Sequence, residues 1–451
     1  MATDSFSLPD TPAVLNHVRI LDPSADIDQI GSVLMANARL YPLSQEQLGT
    51  EHRLDLASLP DSVAHTLSID DIQTVNAEGL IVGPGLVDVY SHSGEPGFES
   101  RETAATLAQS ALAGGFTRLT LLPDTQPVLD NPGAIARLHH TFANLERAPS
   151  VSFWGALTQA LAGTQMTELA ELADKDAPFH LVGWADGRAI QDPTLTHRML
   201  DYVRPLGKPV ALYPQSQALA GGGVAREGLV ATQLGLAPQP AIAETVALSA
   251  ILECVAATNT PVHIMRVSTA RSLALIQEAK ERGLPVTAST TWMHVLLNSY
   301  ALSQYDPNLR LDPPLGNPED QSALVLGLKA EIIDAIAIDH TPYTYEEKTV
   351  PFAIAPPGAI GLEIALPLLW HGLVETGHLT ALELWRCLST GPARCLHQEL
   401  PTLSTESVIF DPRQEWILMS DTLQSLSINS PWLGQSIEGR VLQTFPSSPI
   451  A

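Results

Sequence analysis

The chain has 451 residues, with 24 Lys and Arg against 49 Asp and Glu, a formal net charge of −25 at pH 7. So acidic a protein repels nucleic-acid phosphates and anionic lipid, which argues against both as partners. With 45% hydrophobic and 16% charged residues it is a folded chain with a sizeable core and not an acidic disordered one. Three cysteines, Cys254, Cys387 and Cys395, cannot make a disulfide framework, and none lies in a Cys-x-x-Cys spacing. No signal-peptide pattern opens the sequence and no run reaches about 18 apolar residues, so the expected location is the cytoplasm.

In chain order, residues 13–85 hold short strand-like runs at 13–20, 74–75 and 80–82, broken by turns at Asp22-Pro23 and Gly83-Pro84-Gly85. Residues 41–73 read as a polar insertion of mixed helix and loop. From 79 to 390, short β-branched runs alternate with helix-like segments. The strands are expected at 87–90, 117–122, 151–154, 180–184, 210–213, 262–265, 286–290 and 335–339. Ala- and Leu-rich segments lie between them at 102–113, 135–145, 194–203 and 269–282. Eight such alternations predict an α/β fold, a (β/α)8 TIM-type barrel. Strand-like runs return at 407–410, 416–418 and 440–444. The chain ends are therefore expected to join as a small composite β domain, 1–86 with 396–451, flanking a barrel over 87–395. In such a barrel the residues just after each strand carry the chemistry.

The densest motif is Gly83-Pro84-Gly85-Leu86-Val87-Asp88-Val89-Tyr90-Ser91-His92-Ser93-Gly94-Glu95-Pro96-Gly97. It resembles the first-strand signature of dihydroorotases, in the cyclic amidohydrolase branch of the amidohydrolase superfamily, which reads P-G-x-x-D-x-H-x-H-x-R-E-P-G. The resemblance runs along nearly the whole chain. Leu122-Pro123-Asp124-Thr125 is similar to M-P-N-T, Gly222-Gly223-Val224 with Glu227-Gly228 to G-G-V-x-x-E-G, and Val267-Ser268-Thr269-Ala270 to V-S-T-A. Asp312-Pro313-Pro314-Leu315-Gly316 resembles N-P-P-L-R, and Asp339-His340-Thr341-Pro342-Tyr343 resembles D-H-A-P-H.

The resemblance implies reversible closure of a cyclic amide in pyrimidine biosynthesis, dihydroorotate against N-carbamoyl-aspartate. One or two Zn²⁺ ions would activate water and polarise the carbonyl, and Asp339 would shuttle the proton. Residue by residue, the metal set departs from the family. Tyr90 and Tyr213 stand where His is expected; a phenol, with a reference pKa near 10, is a poor zinc ligand. Arg266 replaces a third His and brings a permanent positive charge to the ion's place. His92, Asp339 and, of the family's paired acids, Asp186 remain as vestigial or weak ligands. Which member of that acid pair ligated the metal stays open. The substrate positions depart as well: Gly94 and Gly316 replace Arg, Asp124 and Asp312 replace Asn, and Tyr343 replaces His. Losing a carboxylate clamp and gaining acids both work against an anionic substrate.

Blander readings stand beside these. His92 and Asp339 are either surviving ligands or relics satisfied by hydrogen bonds. Arg266 is expected to pair with Asp339 or Asp186, a guanidinium in place of the metal. Gly221-Gly222-Gly223 is a loop with no phosphate-binding Lys after it. His139-His140 reads as solvated helix surface, His294 as a packed or capping residue, and the cysteines as core. Three functions follow. The first is a catalytically inactive homologue kept as a structural or assembly subunit, with aspartate transcarbamoylase or as a homo-oligomer, and with no zinc or weakly bound zinc. The second is an active zinc-dependent dihydroorotase with a mononuclear His92–Asp186–Asp339 site. The third is a metabolite-binding regulatory protein.

Overall fold

The computed structural model describes residues 12–44 and 72–447 together with Leu8 and Gln47, so most of the polar insertion expected at 41–73 lies outside the described residues. Strands β1 (Ala13–Asp22), β2 (Ile27–Ala36) and β3 (Arg39–Leu43) form an antiparallel meander. Beside β1 run β4 (Gln73–Asn76) and β5 (Ile81–Pro84), both parallel to it. The sequence reading missed β2 and β3. The first half of β2 is solvent-facing and polar and contains Gly31, so no clear alternation marks it.

The barrel follows with β6 (Leu86–Ser91), β7 (Phe116–Leu121), β8 (Ser150–Gly155), β9 (Leu181–Ala185) and β10 (Val210–Leu212). A two-stranded excursion, β11 (Ala225–Arg226) with β12 (Pro238–Gln239), precedes β13 (Val262–Ile264), β14 (Val286–Thr291) and β15 (Ala335–Ala337). The eight barrel strands are parallel and lie in sequence order, and Asp339 N donates to Tyr90 O at 3.2 Å where the last meets the first. The predicted strands are all present, and the helices Ala104–Ala113, Pro132–Ala143, Pro193–Val203 and Ala270–Glu281 match the Ala- and Leu-rich segments. Their caps explain their starts: Thr103, Asn131, Asp192 and Thr269 each accept a first-turn N–H.

Near the end, β16 (Ser407–Ile417) pairs antiparallel with β5 and with β17 (Ser436–Phe445), so both ends of the chain build one sheet. The runs at 407–410 and 416–418 are one strand, joined through an irregular register between Asp411 and Glu415. Three apolar cores result. Val87, Val89, Trp154, Ala211 and Met265 fill the barrel interior, a larger layer separates strands from helices, and Leu15, Val33, Ile409 and Phe445 close the terminal sheet.

Candidate functional site: the barrel mouth

The mouth is a cavity of about 320 Å³ at the C-terminal strand ends, lined among others by His92, Asp124, Asp186, Arg266, Asp312 and Asp339. Two of these residues end their strands with unusual backbones. Arg266 has φ 52° and Asp339 φ 51°, a left-handed conformation that is unfavourable for side chains with a Cβ. The turn lets each side chain swing towards the barrel axis, where they meet. Arg266 Nε donates to Asp339 Oδ2 and Arg266 Nη2 to Asp339 Oδ1, both at 2.7 Å, a bidentate pair. The third donor, Nη1, reaches Gly187 O at 2.8 Å.

His92, at the end of β6, joins this pair to a second acid. Its Nδ1 lies 2.6 Å from Asp124 Oδ2 and its Nε2 3.4 Å from Asp339 Oδ1. Burial alone would lower the imidazole, yet the carboxylates of Asp124 and Asp339 outweigh it and push it up to about 9. His92 is therefore an imidazolium at neutral pH, donating from both nitrogens. The 3.3 Å approach of Arg266 Nη2 to its Nε2 is then two cations sharing one carboxylate and not a hydrogen bond between them. Against burial, which would raise it, Arg266 and His92 hold the Asp339 carboxyl well below the usual range. Asp124 is lowered through His92 in the same way, and Asp339 outweighs burial to raise the guanidinium. The result is an alternating chain, Arg266⁺–Asp339⁻–His92⁺–Asp124⁻.

Tyr90 is fully buried beneath this chain. Its hydroxyl meets Ser289 Oγ at 2.9 Å and accepts from Arg266 N at 3.1 Å, and burial first, then Asp339, raises it far above an ordinary phenol. Tyr213 donates to Asp312 Oδ1 at 2.8 Å, which also accepts from Gln215 Nε2 at 3.0 Å. Both rings face the guanidinium, with its carbon 5.6 Å and 5.4 Å from their centroids. Asp186 is engaged elsewhere: it accepts from Leu157 N at 2.8 Å, Thr158 N at 3.0 Å and the Thr158 hydroxyl. Of the two partners expected for Arg266, the structure brings Asp339 and not Asp186, whose neighbour Gly187 supplies the contact instead.

The glycines at two substrate positions are enforced by packing. A Cβ on Gly94 would lie 2.3 Å from Glu102 O, and one on Gly316 2.6 Å from Asp320 Cβ, so no arginine fits at Gly94 without a backbone shift. Tyr343 lines the mouth with the Arg101 guanidinium 4.8 Å from its ring centroid. His294 is buried between the Thr291 hydroxyl and Pro313 O. His139 is half-buried against the edge of Phe153, with His140 exposed. Cys254 departs from the core expectation, being half-buried beside a surface groove. Sequence reasoning treated Asp124 only as a substrate position and missed it as the partner of His92. It also passed over Arg188, three residues beyond the end of β9.

The donor chemistry does not fit a zinc ion. Zinc needs lone pairs from several ligands, but here a guanidinium without lone pairs occupies both oxygens of Asp339, and Asp186 is engaged by Leu157 and Thr158. Among the described residues no group of three or more His, Cys, Asp or Glu is placed to hold a metal ion.

Parallel eight-stranded barrel, strand-end site and two-ended β sheet together define a barrel of the amidohydrolase type. The fold is shared with L-hydantoinase (dihydropyrimidinase) from Arthrobacter aurescens, at a TM-score of 0.78 and 19% identity over 96% of this chain and 94% of that one. Residues 79–272 match the family model described as dihydro-orotase-like. A probable dihydroorotase-like protein of Synechocystis sp. is 45% identical over 400 residues, 82% of this chain and 89% of that protein. The dihydroorotase of Geotalea daltonii is 36% identical over 430 residues, 94% and 96%. The chain belongs to the dihydroorotase-like family.

Proposed function

We propose that this protein is a non-catalytic member of the dihydroorotase-like family, a scaffold whose barrel mouth is closed by an ion-pair chain in the place where the resemblance implies zinc. One observation carries the reading: the bidentate Arg266–Asp339 pair. Asp339 is the residue that would shuttle the proton, and a general base needs a free lone pair near operating pH. Here both oxygens are held by a permanent cation and the carboxyl stays ionised far below neutrality, so its basicity is too low for that role.

The intact scaffold around the mouth supports a structural role in pyrimidine biosynthesis, as an assembly subunit with aspartate transcarbamoylase or as a homo-oligomer. The decisive experiment measures metal content and dihydroorotase turnover, in both directions, on one purified sample after zinc loading and desalting. The expected result is clearly substoichiometric zinc and no turnover. Zinc-dependent turnover that disappears in Asp339→Asn would overturn the proposal and restore the mononuclear reading. Co-elution with aspartate transcarbamoylase on gel filtration tests the assembly role, and separate elution counts against it.

A further inference from the structure

One sector of the barrel wall breaks the charge pattern of the chain. Residues 188–282 carry nine Lys and Arg and seven Asp and Glu, so the acid excess of the whole chain, 49 against 24, lies elsewhere. From Pro209 to Leu252 the only charged residues are Arg226, Glu227 and Glu244, and of these Arg226 and Glu244 are buried. The centre of the sector is the helix Ile242–Thr258, which packs between the helices Pro193–Val203 and Ala270–Glu281. It buries Ala243, Leu248, Leu252 and Val255, yet its solvent side is largely apolar too. Ile242 and Val246 are each 53% exposed, and Ala250 and Ala257 are exposed as well. Their spacing of three, four and seven residues puts all four on one face of the helix. A surface helix ordinarily turns charged residues outwards; here Glu253 is the one charge on the exposed face, with Arg282 4.0 Å away. Beside this stripe runs a groove of about 200 Å³, lined by Val246, Ile251 and Cys254 on the helix and by Ile190, Pro193 and Tyr213 opposite.

We propose that two copies of the chain meet at this face, related by a two-fold axis that packs the helix Ile242–Thr258 of each against that of the other. Three observations select a second copy over a different partner. A two-fold contact uses one patch twice, so the patch must be self-complementary, and a ridge lying beside a groove can be. It must also be nearly neutral, because two chains of net charge −25 repel each other, and this is the sector without the acid excess. The third is size and shape. The helix has 17 residues and is about 25 Å long, close to the roughly 30 Å breadth of an interface of about 800 Å² per partner. The small side chains of Ser249, Ala250 and Ala257 on its exposed face let two helices approach closely. The proposal rests on the homo-oligomer form of the structural role and names the face it uses.

The test is sedimentation velocity on the full chain at micromolar concentration. Wild type should sediment at twice the chain mass of 48.3 kDa, and added salt should not dissociate it, because no ion pair is required to hold it. Val246→Glu changes an exposed side chain and should leave the circular dichroism spectrum unchanged. By symmetry it enters the contact twice and sets like charges in an apolar interface, so the dimer dissociation constant should rise about a hundredfold or more. Leu326→Glu, at a side chain 65% exposed on the helix Pro318–Lys329, is the control and should remain a dimer. Cys254 is the one cysteine that is not fully buried, so its reaction with a maleimide should be slower in wild type than in Val246→Glu. A monomeric wild type, alone or with a different protein on this face, overturns the proposal and the homo-oligomer role together. A dimer that survives Val246→Glu, or equal maleimide rates in the two proteins, overturns only the assigned face. Zinc content and turnover are separate readouts, so the catalytic reading stands or falls without this one.

Discussion

Replacing Arg266 by alanine removes the side chain that links Asp339, Gly187 and the rings of Tyr90 and Tyr213. Two charge-assisted hydrogen bonds to Asp339 are lost, each at 2.7 Å and each of the kind that contributes about 1.5–3 kcal/mol. The bond to Gly187 O and the contacts with the Tyr90 and Tyr213 rings go with them. Asp339, part-buried at the mouth, is left with only His92 as a partner, 3.4 Å away. Removing one member of a buried pair costs about 3–5 kcal/mol, and the surviving His92 contact places the expected loss near 4 kcal/mol, in the middle of that range. An unfolding entropy of about 2.1 cal/mol/K per residue over 451 residues is roughly 0.9 kcal/mol/K, so Tm should fall by about 4 °C.

Urea unfolding of both proteins at several pH values supplies a second readout. Asp339 is held below its ordinary carboxylate value, so its contribution is present above about pH 4 and lost as pH falls further. The gap between wild type and Arg266→Ala should therefore be full at pH 7 and shrink below about pH 4. A gap of less than about 1 kcal/mol at pH 7, the scale of an exposed ion pair, or one that does not change in acid, would refute the cross-link.

Other outcomes follow from the same geometry. His92 is pushed up to about 9 from about 6.5 in an unfolded chain, so it stabilises fully below pH 6.5 and loses that contribution as pH rises towards 9, at most about 3 kcal/mol. Urea titrations of wild type and His92→Gln between those limits should converge as pH rises; parallel curves would mean that His92 is neutral. Tyr90→His, Tyr213→His and Arg266→His combined should bind about one zinc per chain by elemental analysis. A metal-free triple variant would mean that the guanidinium is not what keeps zinc out. Glu102 is fully buried, meets His340 Nε2 at 3.4 Å, and holds the Ser425 hydroxyl and, at 2.9 Å, Leu426 N. Glu102→Ala should destabilise by about 3 kcal/mol and speed hydrogen exchange at Leu426; unchanged exchange there would show that the segment is held by other contacts.

The barrel was legible because its strands are buried on both sides and read as short β-branched runs, such as Val262–Ile264 and Val286–Thr291. The first meander was not, because β2 presents a polar face and its partner β3 is only Arg39–Leu43. In the site, the replacement of ligand residues could be read from the order of motifs, and so could the charge swap at Arg266. The choice of Asp339 over Asp186 could not. It rests on two left-handed backbones and on a Thr158 hydroxyl that engages Asp186 from another loop, and neither leaves a mark in sequence. Asp124 was read as an obstacle to an anionic substrate, whereas in three dimensions it is first the counter-ion of His92.

A guanidinium and a zinc ion solve the same packing problem with different chemical consequences. Each brings positive charge to the convergence of several strand ends, where Asp339 would otherwise have only His92 as a counter-charge. Zinc keeps an open coordination position and acidifies a bound water; Arg266 has only directed N–H donors, three of them held by Asp339 and Gly187. It can neutralise and cross-link, but it offers no lone-pair site and no acidic water. Stability and chemistry should therefore separate at this position. Arg266→His within the triple variant should lower stability in EDTA, because the ion pair is gone, and regain it when zinc is added, because metal binding is coupled to the folded state. Thermal melts of the triple variant with and without zinc, against a wild type that does not respond to the metal, test that separation; a wild type stabilised by zinc as strongly as the variant would contradict it.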